Sequence, residues 1–239
     1  MANGINRKEQ ILEAARKLFG ERGFEDVSVR DVTIAAGVNL ASVSYYFGGK
    51  EGLIQEAVKR CMNPINEYRL ELLERQISKH GSLEKVPLRK VMEAFMRPLV
   101  MPEECGVHSG LMLRLVARYL IETDYTIPKV SRDLYTEAFQ SFAKALKVHY
   151  PELDQVLIVK HIVFASGSVI YYHGLGKLAL QLSEGMGESG DDGEDDYEEE
   201  GVGEEACEEI GEIDREQMLE DVIDFAMHGF GGNTRRLGS

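Results

Sequence analysis

The chain has no run of apolar residues near the roughly 20 needed to span a bilayer, so nothing in it predicts a transmembrane helix. Its first ten residues, MANGINRKEQ, are polar and lack an apolar signal region, and the expectation is a cytoplasmic protein. Cysteine is scarce. Cys61, Cys105 and Cys207 are odd in number and far apart, which suits isolated reduced thiols and excludes a disulfide framework or a zinc cluster of the usual spacing. The six histidines (His80, His108, His149, His161, His173 and His228) show no metal-ligand spacing on one face. No phosphate-binding glycine loop, nucleophile elbow or carboxylate pair is present, so an enzymatic reading has no residues behind it and no cofactor is expected.

What is present fits a globular protein of one or two domains: 239 residues, 44% of them hydrophobic and 28% charged. The net charge of −14 argues at first against a nucleic-acid partner. Its distribution reverses that inference. Residues 184–212 carry 15 Asp or Glu and no Lys or Arg, and without them the net charge becomes +1. The acidity belongs to one segment, and a DNA-binding face elsewhere stays open.

The periodicity is helical nearly throughout, which predicts an all-α protein. Residues 6–22 place Ile11, Ala15, Leu18 and Phe19 on one face, with Asn6 as cap, Glu9 as its return partner and Gly23 as the stop. A short second helix follows, capped by Ser28 with Asp31 at its third position. Gly37 breaks it, and Asn39 caps a third helix to about Phe47. A long helix is expected from Lys50 to about Lys79, then segments at about 87–100, 107–122, 127–148 and 152–184, with breaks at Pro102, Pro128 and Pro151. The 152–184 segment is apolar almost all round and must lie centrally or in a subunit interface. Residues 185–212 are Gly-rich and acidic, bury too little to offset ordering, and are expected to form a mobile loop. Asp214 and Gln217 read as a capping box for a last helix to about His228, and residues 231–239 as a flexible tail.

Two short helices around a glycine turn make a helix-turn-helix pattern, with the first helix closing a small core. Val38, Val43 and Phe47 are expected to point inward, and Ala41, Ser44 and Tyr45 to share the outward face. Between Val32 and Gly49 there is no acidic residue, and Lys50 follows directly. A small, uncharged ridge beside aromatics and a cation suits a polyanion.

The run AARKLFGERGFEDVSVRDVTIAAGVNLASVSYYFGGKEGL resembles the TetR family of bacterial transcriptional regulators. More narrowly, AGVNLASVSYYFGGKEGLI is similar to the fatty-acid-responsive PsrA type, whose recognition stretch often reads Asn-Tyr-His-Phe-Gly-Ser-Lys. Here Ser44 stands at the Asn position, Tyr46 at the His and Gly49 at the Ser. The resemblance implies nine or ten helices: a DNA-binding domain over about 1–50 and a helical effector-binding and dimerisation domain over about 51–230. It also implies a homodimer joined through about 152–184 and 214–228, acting most simply as a repressor released from a palindromic operator on double-stranded DNA.

On that reading the third helix enters the major groove, with Leu40, Ala41, Ser42 and Ser44 against bases through thymine-methyl contact and hydroxyl hydrogen bonds. In the resembled family the positions of Tyr45 and Tyr46 contact the phosphate backbone. Lys50, at the start of the fourth helix, reaches a phosphate as a point charge, and Ser28 and Arg30 do so from the other side of the groove. Plainer roles stand beside these: core packing for either tyrosine, capping alone for Ser28 and Asn39, an ion pair with a neighbouring acid for Arg30. Induction is a population shift between two separations of the DNA-binding heads, with the fourth helix as the lever.

The effector pocket is expected among the middle helices, with Phe95, Leu99, Leu111, Leu115, Phe139, Phe142 and Phe164 as candidates, although such aromatics are often plain core. The resemblance suggests a small hydrophobic effector, a fatty acid or its acyl-CoA, with Arg114 and Arg118 meeting its head group. A different class also fits: a helical protein-interaction module with 185–212 as an acidic partner-binding segment. For that segment three roles stay open, namely a solvated loop, a modulator of DNA affinity, or a partner contact.

Overall fold

The computed structural model describes residues 6–122, 128–185 and 215–234. The protein is all-α. Among the described residues there are nine α-helices and no strand: α1 (Arg7–Arg22), α2 (Val29–Ala35), α3 (Ala41–Phe47), α4 (Lys50–His80), α5 (Leu88–Val100), α6 (Ser109–Glu122), α7 (Pro128–His149), α8 (Gln155–Gly185) and α9 (Arg215–Thr234). Short 3-10 turns at Leu83–Lys85 and Pro102–Cys105 flank α5.

The first three helices close on a core of Ile11, Leu12, Ala15, Phe19, Phe24, Val27, Val32 and Val43, with Leu53 of α4 beneath them. Leu18, Val38 and Phe47 are only partly buried at its margin. Asn6 caps α1 by accepting the Lys8 amide at 3.1 Å. Glu9, expected to reach back to Asn6, pairs instead with Arg60 of α4 at 3.5 Å. Ser28 and Asp31 form the expected capping box on α2: the Asp31 amide donates to Ser28 Oγ at 3.2 Å, and the Ser28 amide donates to Asp31 Oδ2 at 2.8 Å. Asn39 Oδ1 accepts the Ala41 amide at 2.9 Å and so starts α3.

The chain passes from α3 to α4 through Gly48 and Gly49, at φ 74° and 127°, where a side chain would be strained. Gly52, in the first turn of α4, has a different reason to be glycine. A Cβ there would lie 1.9 Å from the Phe47 carbonyl oxygen, so the end of α3 sits directly on the backbone of α4.

One buried stripe of α4 (Leu53, Ile54, Ala57, Val58, Cys61, Met62, Ile65, Arg69, Leu73) runs from this head into the body of the molecule. The body centres on α5, whose Val91, Met92, Ala94, Phe95, Met96, Leu99 and Val100 are buried among α4, α7, α8 and α9. The 152–184 segment is expected centrally or in a subunit interface; over the described side chains of α8, Ile158, Ile162, Ala165 and Val169 pack against the core while Val156, Val159, Val163 and Phe164 are exposed.

Pro102 and Pro128 open their elements as expected, and Pro151 lies between α7 and α8. Two further prolines, Pro64 and Pro98, sit inside α4 and α5. A proline there has no N–H for the carbonyl one turn back.

Helix α9 packs on α5 through Met218, Leu219, Val222, Ile223 and Ala226, and ion pairs bind its outer edge. Arg97 Nη2 bridges Glu104 at 2.7 Å and Glu216 at 2.8 Å, Arg89 holds Glu220 and Asp224, and Arg215 pairs with Glu103 at 2.7 Å. The helix continues to Thr234, so residues 231–234, expected in the tail, are helical. The acidic stretch from 186, the Asp214 cap, Cys207 and residues 235–239 lie outside the described residues. Among the described residues, no helix is long and apolar enough to cross a membrane.

The Gly52 contact generates a stability prediction. Gly52→Ala forces α3 off α4 against backbone that cannot yield like a side chain, and should destabilise the protein by about 1–3 kcal/mol, the usual cost of overpacking. Urea unfolding of the variant against the parent measures it.

Candidate nucleic-acid interface

The head presents one uncharged ridge. Its helix, α3, is anchored from behind by the fully buried Val43 and from its ends by the Asn39 cap and the Gly48–Gly49 turn. That anchoring leaves Leu40, Ala41, Ser44, Tyr45 and Tyr46 exposed and Ser42 partly buried. Tyr45 is 82% exposed, and Tyr46, at 36%, packs the edge of its ring against it with centroids 4.9 Å apart. Neither tyrosine is a core residue. Their hydroxyls sit on a stiff aromatic pair at the outer surface, a geometry that can donate to a phosphate without ordering a long flexible chain.

Polar groups flank the ridge. Lys50 begins α4 and its Nζ lies 3.5 Å from the Glu25 carbonyl oxygen, so α4's first turn reaches toward the loop that precedes Ser28. Ser28 is exposed and is held by Asp31, to which its hydroxyl donates at 2.6 Å. This hydrogen bond, followed by the one from the Ser28 backbone, holds the Asp31 carboxyl below its usual range. Arg30 is exposed and makes no ion pair with a described residue, though its charge is among the causes that hold the adjacent Asp31 carboxyl low. Two nearby residues escaped the sequence reading. Ile34, 70% exposed, lies one turn beyond Arg30 on the same side of α2. Lys8, 5.8 Å above the Phe47 ring, also contacts Glu56 at 3.5 Å. An isoleucine outside the buried spacing of Val32 is the signal that marks the first.

The effector candidates divide. Phe95, Leu99, Leu115 and Phe142 are buried in the body and Phe139 is partly so. The Phe95 ring stands 5.7 Å from Phe139 and 5.0 Å from Phe142. The other four candidates are elsewhere. Phe164 is 68% exposed on the outer face of α8 with Val156, Val159 and Val163, because the helix turns Ile162 and Ala165 inward. Leu111 sits against α1, where a Cβ on Gly20 would meet its Cδ1 at 2.5 Å. Arg114 is exposed, and Arg118 donates to the Glu21 carbonyl on α1 at 3.4 Å, so neither points into the body.

Among the described residues the body buries Arg69, 1% exposed, which donates to the Phe95 carbonyl and to Asn66 Oδ1, both at 2.9 Å. Its guanidinium lies 4.0 Å from the Phe95 ring centroid. Its place in the sequence, four residues after Ile65 and four before Leu73, put it on the buried stripe.

Residues 11–57 match the model of bacterial regulatory proteins of the tetR family, and residues 93–194 match that of the tetracyclin repressor-like C-terminal domain. The chain belongs to the TetR family. The first match covers most of α1, all of α2 and α3 and the start of α4, and the second runs from the middle of α5 through α8.

Among curated proteins, the "Probable HTH-type transcriptional regulator YttP" of Bacillus subtilis is 30% identical over 128 residues, 51% of this chain and 61% of that protein. The transcriptional regulator PksA of the same organism is 24% identical over 180 residues, 64% of this chain and 82% of that one. The chain thus spans less than two thirds of the length of YttP. Among solved structures, the fatty acid degradation regulator FadR of Bacillus halodurans superposes with a TM-score of 0.58 at 13% identity, covering 96% of this chain and 98% of that one. The hemolysin II regulator HlyIIR gives 0.52 at 20%, covering 75% and 94%. At such identities the structures speak for the TetR fold alone.

The Ser28 cap carries a pH-dependent prediction. Ser28→Ala should cost about 1 kcal/mol, typical of a lost N-cap. Asp31 has a lowered folded-state value, so the stability its contacts contribute is fully present above the ordinary value of 3.8 and is lost as pH falls through the lowered one. The gap between parent and variant in urea unfolding should therefore be constant at neutral pH and shrink below that ordinary value.

Proposed function

We propose that this chain is a ligand-responsive, homodimeric transcriptional regulator that binds a palindromic operator on double-stranded DNA, acting as a repressor. The observation that carries the reading is the exposed, charge-free ridge of α3 with Tyr45, Tyr46, Lys50, Ser28 and Arg30 at its margins. Phosphates flank bases in a groove, and here hydroxyls and cations flank a ridge narrow enough to enter one. On this reading Leu40, Ala41, Ser42 and Ser44 face bases and Asn39 orients the helix. The head ends within the first turn of α4, near residue 50, and the rest of the chain is the regulatory domain.

The dimer rests on α8 and α9. Val156, Val159, Val163 and Phe164 form an exposed apolar strip on α8, and Phe225 is exposed on α9. Such a strip is costly to leave in water and suits a symmetric helix-pair interface. For the effector, the buried aromatic cluster of Phe95, Phe139 and Phe142, with Leu99 and Leu115 also buried in the body, favours an apolar molecule such as the fatty acid or acyl-CoA that the sequence resemblance suggests.

Selection from a pool of random duplexes should return a palindromic site. On it, Lys50→Ala should weaken binding across sequences and flatten the plot of log affinity against log salt by about one unit, the loss of one phosphate contact. Tyr45→Phe should weaken binding without changing that slope. A protein that enriches no duplex at any salt would end this reading and favour a protein-interaction module. Sedimentation tests the dimer: Phe164→Glu with Phe225→Glu should turn it into a helical monomer. Native mass spectrometry of the purified protein should show lipid retained on a dimer.

A further inference from the structure

We propose that the ridge recognises its operator chiefly through pyrimidine C5-methyl groups, thymine in unmodified DNA, with Leu40 as the principal contact and Ala41 beside it. The proposal rests on the DNA-binding reading above and adds what that surface can distinguish.

The side chains that discriminate bases by paired hydrogen bonds are missing from the ridge. Arginine and lysine read guanine, asparagine and glutamine read adenine, and acids accept from cytosine. Between Thr33 and Gly48 there is no arginine, lysine, glutamine, histidine, aspartate or glutamate. The one amide, Asn39, has its oxygen accepting the Ala41 backbone N–H at 2.9 Å. That contact fixes the amide against the helix start and commits one of the oxygen's two lone pairs to the backbone, which constrains the orientation a two-point adenine contact requires.

What the ridge offers instead is apolar area. Leu40 is 55% exposed immediately before the first residue of α3, and Ala41 is exposed next to it. Ile34, 70% exposed, adds a second apolar side chain on α2. In the major groove the apolar feature of a base pair is the methyl on C5 of thymine, which 5-methylcytosine shares. Ser42 and Ser44 can bond to any base edge and so discriminate little.

The test uses the full-length protein and a duplex selected from a random pool, with thymines replaced one at a time by deoxyuridine, which removes the methyl and keeps every hydrogen-bonding group. At one or two positions per half-site this should weaken binding about fourfold, the worth of one buried methyl group. In Leu40→Ala the same replacement should cost nothing at that position, because the methyl has lost its partner. Replacing the critical T·A pair by 5-methylcytosine·G should bind better than unmethylated C·G in the same place, which separates methyl contact from hydrogen bonding to the thymine carbonyl. Leu40 is exposed, so its replacement leaves the core intact, and an unchanged urea midpoint verifies that.

Deoxyuridine tolerated at every position, or a full penalty kept by Leu40→Ala, overturns the proposal and leaves DNA binding standing. Failure to enrich any duplex overturns the DNA-binding reading and the proposal together.

Discussion

The buried stripe of α4 is packed by α1 and α3 at one end and by α5 and α7 at the other, so head and body share one continuous helix. No linker intervenes. A rotation or translation of this helix is felt on both sides, since close-packed surfaces slide between discrete arrangements rather than deform smoothly. Arg69 fixes the helix at the body end. Its bond to the Phe95 carbonyl ties α4 to the centre of α5, next to the aromatic cluster. Gly52 fixes it at the head end by letting the Phe47 carbonyl rest on its first turn. On the reading proposed above, these two anchors give an event in the body a direct mechanical route to α3.

Most of the head was legible in the sequence, because its determinants are local. Ser28 with Asp31, Asn39 before Ala41, and the apolar spacing of Ile11, Ala15 and Phe19 depend on residues within a turn or two of each other. The body was legible as a series of helices but not as a packing. Phe164 and Phe142 look alike in a string of apolar residues, and only the mutual orientation of α8, α5 and α7 sends one outward and the other inward. Arg118 reaches the Glu21 carbonyl on α1, and Arg114, one turn away, is exposed. Arg69 could have been found: a cation in step with Ile65 and Leu73 has to be buried with its donors satisfied by something. Gly52 could not, since its partner is a backbone oxygen positioned by the preceding turn.

The charge distribution follows the same division of labour. The ridge has no ionised group to desolvate on entering a groove, and its cations stand at the margin where phosphates would be. The body instead uses ionised groups on its outside, where Arg89, Arg97 and Arg215 link α9 to α5 and to the turn that follows it. Each such exposed pair contributes little alone. Together with the apolar face of α9 they set its register on α5, and hence the direction in which Phe225 projects.

Pro64 interrupts the hydrogen-bond ladder of α4 between those two anchors. From there to Lys50 the helix extends about 20 Å at about 1.5 Å per residue. Flexing by about 5° at the proline carries the head about 2 Å sideways over that lever arm. In a symmetric pair the two displacements add to about 4 Å, comparable to the 3.4 Å step between base pairs. On the DNA-binding reading proposed above, the amide proton missing at Pro64 lies where a small angular change would become a mismatch in register along the double helix.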